Sequence, residues 1–254
     1  MILAVDIGNT NIVLGCIEDG EILNIFRIRS DAKQTDMEYA IKLCAILGIS
    51  GIDTKEINGA ILSSVVPQLT LALTGAVRLV TGLECMVVGA GMKTGLNVCI
   101  DDPGTLAGDI VVGSVAAMHC YGTPCIVIDM GTATTIVAID AKKRYLGGAI
   151  IPGVNLSYSA LASGTSLLPH ISITPPAKAI ATNTVDSMRS GAVFGTAAML
   201  DGMIDRFEAE LGEKCAVVAT GGLASSVVSC CRHEIACDND LLLKGLWILY
   251  QKNK

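Results

Sequence analysis

The sequence predicts an α/β protein in which one unit is used twice, and three observations carry that expectation. Apolar runs of strand length alternate with helical runs in the same order in both halves. The opening segment Val5-Asp6-Ile7-Gly8-Asn9-Thr10 is echoed by Ile128-Asp129-Met130-Gly131-Thr132-Ala133-Thr134-Thr135, with the two aspartates 123 residues apart. The 254-residue length leaves room for two domains, each of about 125 residues. The expected division is 1–117 and 118–254.

The first half reads as strands at 2–6, 12–18 and 22–29, the last two joined at Glu18-Asp19-Gly20. Asp-Gly between apolar runs is a hairpin signal, because both residues tolerate the backbone twist of a tight turn. A helix over 36–48 opens with Thr35-x-x-Glu38, the form of a capping box. A strand at 59–64, a helix after Pro67, a short strand at 85–88 and a helix over 109–119 follow. The second half repeats the order. Strand 124–129 leads through the Gly-Thr loop to strand 134–140, a turn at Lys142-Lys143-Arg144 and strand 145–151. The segment 152–183, rich in Ser, Gly and Pro, reads as an insertion. Then come a long helix over 184–211, strand 215–219, the Gly221-Gly222 turn, a helix, and a final amphipathic helix over 239–252.

Composition narrows the partners. Hydrophobic residues make up 51% and charged residues 17%, so small aliphatics build the core and some apolar surface remains for a subunit contact. A net charge of −6 with no basic run argues against nucleic acid. Two uncharged stretches, 57–77 and 145–177, are broken by Pro, Gly, Ser, Asn and Thr, so neither reads as a membrane-spanning helix. The chain opens on a core strand without a charged leader, and a soluble cytoplasmic protein is expected. The ten cysteines contain no Cys-x-x-Cys and read as buried, reduced thiols. The group Cys230, Cys231, His233 and Cys237 lacks the paired spacing of a zinc site. None of the three histidines sits in a nucleophile motif.

The repeated Asp-x-Gly loop is what phosphate binding requires. Glycine lets backbone N–H groups approach an oxyanion, Thr and Asn add donors, and a strand-end Asp holds a cation or its water. A single copy is also an ordinary turn with an Asx hydrogen bond; two copies at half-chain spacing predict matching loops that face each other across a cleft between the domains. Neither loop contains Lys or Arg, and no Gly-x-x-x-x-Gly-Lys-Ser/Thr occurs. Nucleotide charge is then offset by metal ions, backbone N–H groups and helix N-termini. Asp6 is the expected Mg²⁺ holder, through water, with Gly8, Asn9 and Thr10 around the terminal phosphates. Gly221 and Gly222, between a strand and a helix, suit a nucleoside lying on bare backbone or a tight turn. For a general base, Asp101, Asp102 and Asp109 are equivalent on these grounds, and each also fits a helix cap.

The order of elements resembles the superfamily of sugar and acetate kinases, actin and Hsp70 chaperones, whose halves are ribonuclease-H-like α/β layers. Within it, Asp6 to Thr10 with Gly15, Ser63-Ser64-Val65-Val66-Pro67, Asp129-x-Gly-Thr-Ala-Thr-Thr135, Leu146-Gly147-Gly148, Leu168-Pro169, Thr220-Gly221-Gly222-Leu223 and Leu243-x-Gly245-Leu246 resemble type III pantothenate kinases along the whole chain. That resemblance implies ATP-dependent phosphorylation of pantothenate, the first step toward coenzyme A, in a homodimer. It extends the nucleotide loop over Asp6, Ile7, Gly8, Asn9, Thr10, Asn11, Ile12 and Val13. It implies an ATP contact at Thr132, a K⁺ or NH₄⁺ ion at Asp129, the proton acceptor at Asp109, and substrate contacts at Ile100, Ala107, Gly108, Asp109, Ile110 and Thr184.

One segment departs from the family pattern. The family carries Gly-Ala-Asp-Arg where this chain reads Ala107-Gly108-Asp109-Ile110, and Ile100 stands where the family often has an aromatic residue. The missing guanidinium would grip the carboxylate of pantothenate, a contact worth ~1.5–3 kcal/mol. Three outcomes fit this change: another cation compensates, a different small hydroxy compound is the acceptor, or the chain is an ATP-binding accessory or regulatory paralogue. A polyphosphate or nucleotide phosphatase, also found in the superfamily, would need a water-positioning Glu that the sequence does not supply. Thr184 also sits where a helix N-cap is expected.

Overall fold

The computed structural model describes all residues from 1 to 254. Contacts divide them into two compact units: Met1–Leu96 with Asp102–Ala116 and Asp240–Lys254, and Asn97–Asp101 with Ala117–Asn239.

The first unit is built on β1 (Ile2–Ile7), β2 (Asn11–Glu18), β3 (Glu21–Arg29), β4 (Gly59–Ser64) and β5 (Met86–Val87) in the order β3-β2-β1-β4-β5. The first three form an antiparallel meander, and β4 and β5 join in parallel. The β2–β3 turn places Asp19 and Gly20 at positive φ, as the Asp-Gly signal requires. Strand alternation sends Leu3, Val5 and Ile7 into a core with Leu14, Leu62, and residues of α1 (Asp36–Ile49) and α2 (Pro67–Thr81). The predicted capping box is present: Glu38 N–H donates to Thr35 Oγ1 at 3.3 Å and Thr35 N–H to Glu38 Oε2 at 2.8 Å.

The other face of this sheet is covered from the far end of the sequence. Helix α8 (Leu241–Asn253) belongs to the first unit, whereas the linear division at 117/118 assigns it to the second. Missing Cβ atoms are the physical reason. A Cβ on Gly15 would lie 2.9 Å from the Leu243 side chain, and one on Gly59 would overlap the Tyr250 ring. Gly245 in turn presses against the Val112 backbone of α3 (Gly108–Cys120). Gly15 and Gly245, quoted among the family motifs, are thus packing positions for this helix, and Gly59 is a further one.

The second unit repeats the pattern with β7 (Cys125–Met130), β8 (Ala133–Ile139), β9 (Arg144–Pro152), β10 (Ala216–Thr220) and β11 (Ala236–Cys237), in the order β11-β10-β7-β8-β9-β6, where β6 is Asn97–Val98. Without β6, both sheets have the same order and directions. Even the irregularity recurs, since the register of β2 shifts at Cys16/Ile17 and that of β8 at Ala138/Ile139. The predicted long helix is α5 (Thr184–Ser190) and α6 (Thr196–Leu211) joined by a π-helical turn at Gly191–Gly195. Two helices complete the unit. One is α7 (Ala224–Val228); the other is α4 (Val154–Ser163), inside the segment expected to be an insertion. The Pro- and Gly-rich flanks of α4 masked ten helical residues. No helix is long and apolar enough to cross a membrane.

Candidate active site

Each sheet ends its first strand in the same turn. In the first unit Asp6 pairs with Val13 and Ile7 with Ile12, and Gly8 N–H donates to Asn11 O at 3.0 Å. In the second, Asp129 pairs with Thr135 and Met130 with Thr134, and Gly131 N–H donates to Ala133 O at 3.0 Å. Both glycine N–H groups are thus committed within their own turns. Asn9 and Thr10 form the exposed tip of one loop, and Thr132 is exposed in the other. Ile7 and Ile12 are fully buried core residues, so only their backbone is available to a nucleotide. Asn11 is exposed and Val13 half-buried.

The residue after the third strand fastens each loop from behind. Ser30 N–H donates to Thr10 O at 3.0 Å, and Gly153 N–H donates to Thr132 O at 3.0 Å. Ser30 adds a second bond from its hydroxyl to Gly8 O at 2.6 Å. Gly153 has no side chain to add, and a Cβ there would overlap Gly131 O and Thr132 O. Neither residue was singled out from sequence. The signal was present, since Ser30 and Gly153 are separated by the same 123 positions as Asp6 and Asp129.

The three candidate bases separate cleanly. Asp102 accepts from Gly104 N–H at 3.0 Å and caps a 3₁₀ turn, while Asp101 is exposed. Asp109 is in the first turn of α3, where Oδ1 accepts from Ile110 N–H at 2.7 Å. Burial raises its pKa above the ordinary carboxylate value, against the lowering effect of the backbone N–H groups. Asp109 combines partial burial, a raised affinity for protons and a helix N-terminus, as a general base requires. Ala107, Gly108 and Ile110 flank it and are half-buried. Gly108 lies over the end of β4, where a Cβ would stand 3.2 Å from Ser63 Oγ. Ser63 is in register with Asp6 across β1 and β4, so both side chains leave one face of the sheet.

The remaining candidates lie in the second unit. Ile100 packs toward Gly147, 3.7 Å from where its Cβ would be. Thr184 is exposed at the start of α5, and the capping role belongs to Asn183, whose Oδ1 accepts from Asp186 N–H at 2.9 Å. Gly221 has φ +102°, and its Cβ would fall 2.5 Å from Met130 O, so the turn itself demands glycine there. A Cβ on Gly222 would meet nothing within 4 Å, and the residue is exposed.

The cysteine-rich segment has a structural duty. Asp201 on α6 accepts from the N–H groups of Arg232 at 2.9 Å and His233 at 3.1 Å, and His233 Nε2 lies 2.9 Å from Asp205 Oδ1. No three Asp, Glu, His or Cys side chains converge to hold a metal. All ten cysteines are unpaired, as expected, but Cys44, Cys99, Cys120 and Cys237 are exposed rather than buried.

Two copies of one sheet order, each with an Asp-x-Gly turn after its first strand, define the ribonuclease-H-like fold of actin-like ATPases and sugar kinases. Solved structures agree at the level of fold. Component A of the (R)-2-hydroxyglutaryl-CoA dehydratase of Acidaminococcus fermentans matches with a TM-score of 0.57 at 15% identity, over 98% of this chain and 96% of the other. A ROK family glucokinase from Streptomyces griseus, solved with glucose and AMPPNP, matches with a TM-score of 0.50 at 13% identity, over 98% and 99%.

The family is narrower. Residues 2–206 match the model of type III pantothenate kinase. Type III pantothenate kinases of Moorella thermoacetica and Halalkalibacterium halodurans are 41% and 39% identical, each over all of both chains. The chain belongs to the type III pantothenate kinase family.

Proposed function

We propose that this protein transfers the γ-phosphoryl group of ATP to the primary hydroxyl of pantothenate, the first step of coenzyme A biosynthesis. Full-length identity of about two residues in five to pantothenate kinases carries this reading. The loop from Asp6 to Val13 binds the triphosphate, with Thr132, Gly221 and Gly222 as further ATP contacts. Asp109 takes the proton of the acceptor hydroxyl as that oxygen attacks phosphorus. Ile100, residues 107–110 and Thr184 bind the acceptor.

The donors present fit a divalent ion that travels with ATP. Asp6 offers a hard carboxylate oxygen and would hold the ion, and the lack of a three-ligand protein cluster suits Mg²⁺, which is usually bound through one or two carboxylates and substrate phosphates. When bound, Mg²⁺ offsets the charge of the triphosphate. Asp129 is flanked in the sheet by Thr135 and Thr220, an all-oxygen set suited to K⁺ or NH₄⁺. A homodimer accords with the exposed apolar side chains Leu146, Ile150, Leu156, Leu161, Leu167 and Ile180, which fall within one stretch of the second unit; a cytoplasmic location belongs to the same proposal.

The Ile110 substitution favours a second reading, an ATP-binding paralogue with an accessory or regulatory role, or a kinase for another hydroxy compound. An ADP-release assay with and without pantothenate, extended to a panel of small hydroxylated acids, separates them. Pantothenate-dependent turnover supports the kinase. Slow turnover indifferent to every acceptor removes it.

A further inference from the structure

Two consecutive serines end β4, and they are used differently. Ser64 is satisfied: its Oγ accepts from Val66 N–H at 3.0 Å and donates to Val66 O at 3.1 Å, forming the turn that starts α2. Ser63 is fully buried, and its hydroxyl has no hydrogen-bond partner. Burying such a group unpaired costs stability, so an idle hydroxyl is a poor choice for this position.

Its surroundings show what it faces. Across the sheet it is in register with Asp6. Above it lies Gly108, the first residue of α3, with the Ser63 Oγ 3.2 Å from the point a Cβ would occupy. The next residue is Asp109, which uses Oδ1 for Ile110 N–H. An unpaired donor thus sits beneath the helix turn that carries a partly buried carboxylate. Glycine at 108 keeps the space beside the Ser63 hydroxyl free of a methyl group.

We propose that Ser63 is a positioning residue for Asp109: with substrate bound, its hydroxyl donates to the Asp109 carboxylate and holds it toward the acceptor hydroxyl. This rests on Asp109 being the base. In the step it serves, the acceptor oxygen bonds to the γ-phosphorus as the bond from that phosphorus to the β-phosphate oxygen breaks. ADP leaves, the acceptor proton passes to Asp109, and Ser63 keeps its own proton throughout.

The test is Ser63→Ala beside Asp109→Asn and Ser114→Ala. Ser114 is a second buried, unpaired serine of α3 and serves as the control. Loss of a hydrogen bond to a charged group corresponds to a fall of roughly ten- to hundred-fold, and that fall is expected in kcat for Ser63→Ala with KM for ATP unchanged. The acid limb of its pH profile should move to higher pH, because the ionised carboxylate has lost a donor. Melting temperature should hold or rise, as it should for Ser114→Ala, which keeps full activity. Ser63→Ala with wild-type kcat and an unmoved acid limb overturns the inference, as does a rate loss that merely tracks a lower melting temperature. If Asp109→Asn itself keeps its rate, the base assignment has failed instead, and the two failures are told apart.

Discussion

The two Asp-x-Gly loops are cast from one mould and finished differently. Both hang from the end of a central strand, both close on a glycine N–H, and both are fastened by the residue after the third strand. In the first copy a side chain, Ser30 Oγ to Gly8 O, adds to the backbone fastening, and the loop is one residue longer. In the second copy the fastening is backbone against backbone alone, at Gly153, with Gly221 pressed as closely on Met130. A side-chain strap can be loosened without moving the chain, whereas a glycine seat tolerates nothing larger. The first loop is therefore the more tunable and the second the more tightly seated, and the unpaired hydroxyl of Ser63 and the half-buried Asp109 belong to the unit of the tunable one.

The sharpest way to break this contrast is to remove the reactive group from the first unit. Asp109→Asn should slow turnover by ~10²–10⁴-fold with ATP binding intact. The same variant should be more stable than the parent at neutral pH. Burial raises the folded-state pKa of Asp109, so its stabilising contribution is complete below the unfolded value and is lost as pH rises through the folded value. Asparagine never ionises, so the variant's advantage should appear in melting curves at pH 7 and vanish below the usual carboxylate range. Equal melting curves at pH 7 would mean that Asp109 is not held in a desolvating site.

Restoring a cation beside the proposed base tests the proposed acceptor pocket. Ile110→Arg should lower KM for pantothenate roughly ten-fold or more, the lower bound for a charge-assisted contact, with KM for ATP unchanged. Steady-state kinetics at fixed ATP reads it. An unchanged KM would show that this chain grips its acceptor by other residues.

In the second unit, Gly153→Ala should cost about 1–3 kcal/mol of stability, because the added methyl overlaps two backbone carbonyls that have no room to retreat. Urea denaturation measures it. A variant as stable as the parent would show that loop 2 yields as easily as loop 1, and the contrast would disappear.

Most of this architecture was legible in the chain because its signals are local. Alternation marked the meanders, Thr35-x-x-Glu38 marked α1, and the 123-residue echo marked the duplication. What escaped was non-local. Helix α8 could not be assigned to the first unit, because its seats, Gly15 and Gly59, are nearly two hundred or more positions away along the chain. Helix α4 was hidden by its flanks, and the π-helical turn at Gly191–Gly195 left no mark in a continuous helical pattern. At the site, sequence alone left Asp101, Asp102 and Asp109 equivalent. Their burial and capping partners, which depend on folding, differ. Ser63 was quoted only as part of a motif, since nothing in a Ser-Ser pair reveals which hydroxyl lacks a partner.

The smallest expected effect falls on the strap itself. Ser30→Ala removes the hydroxyl bond to Gly8 O but leaves the backbone bond from Ser30 N–H to Thr10 O, so the loop stays anchored at one of two points. A single neutral hydrogen bond contributes about 0.5–1.5 kcal/mol. Because Gly8 belongs to the proposed nucleotide loop, part of that loss should appear as a rise of about two- to ten-fold in KM for ATP, and the rest as a slightly lower urea midpoint. Pantothenate KM should not move, since the strap touches no acceptor residue. If Ser30→Ala instead proves as destabilising as Gly153→Ala, the hydroxyl is as structural as the glycine seat. The two loops would then differ in the atoms that fasten them but not in how firmly they are held.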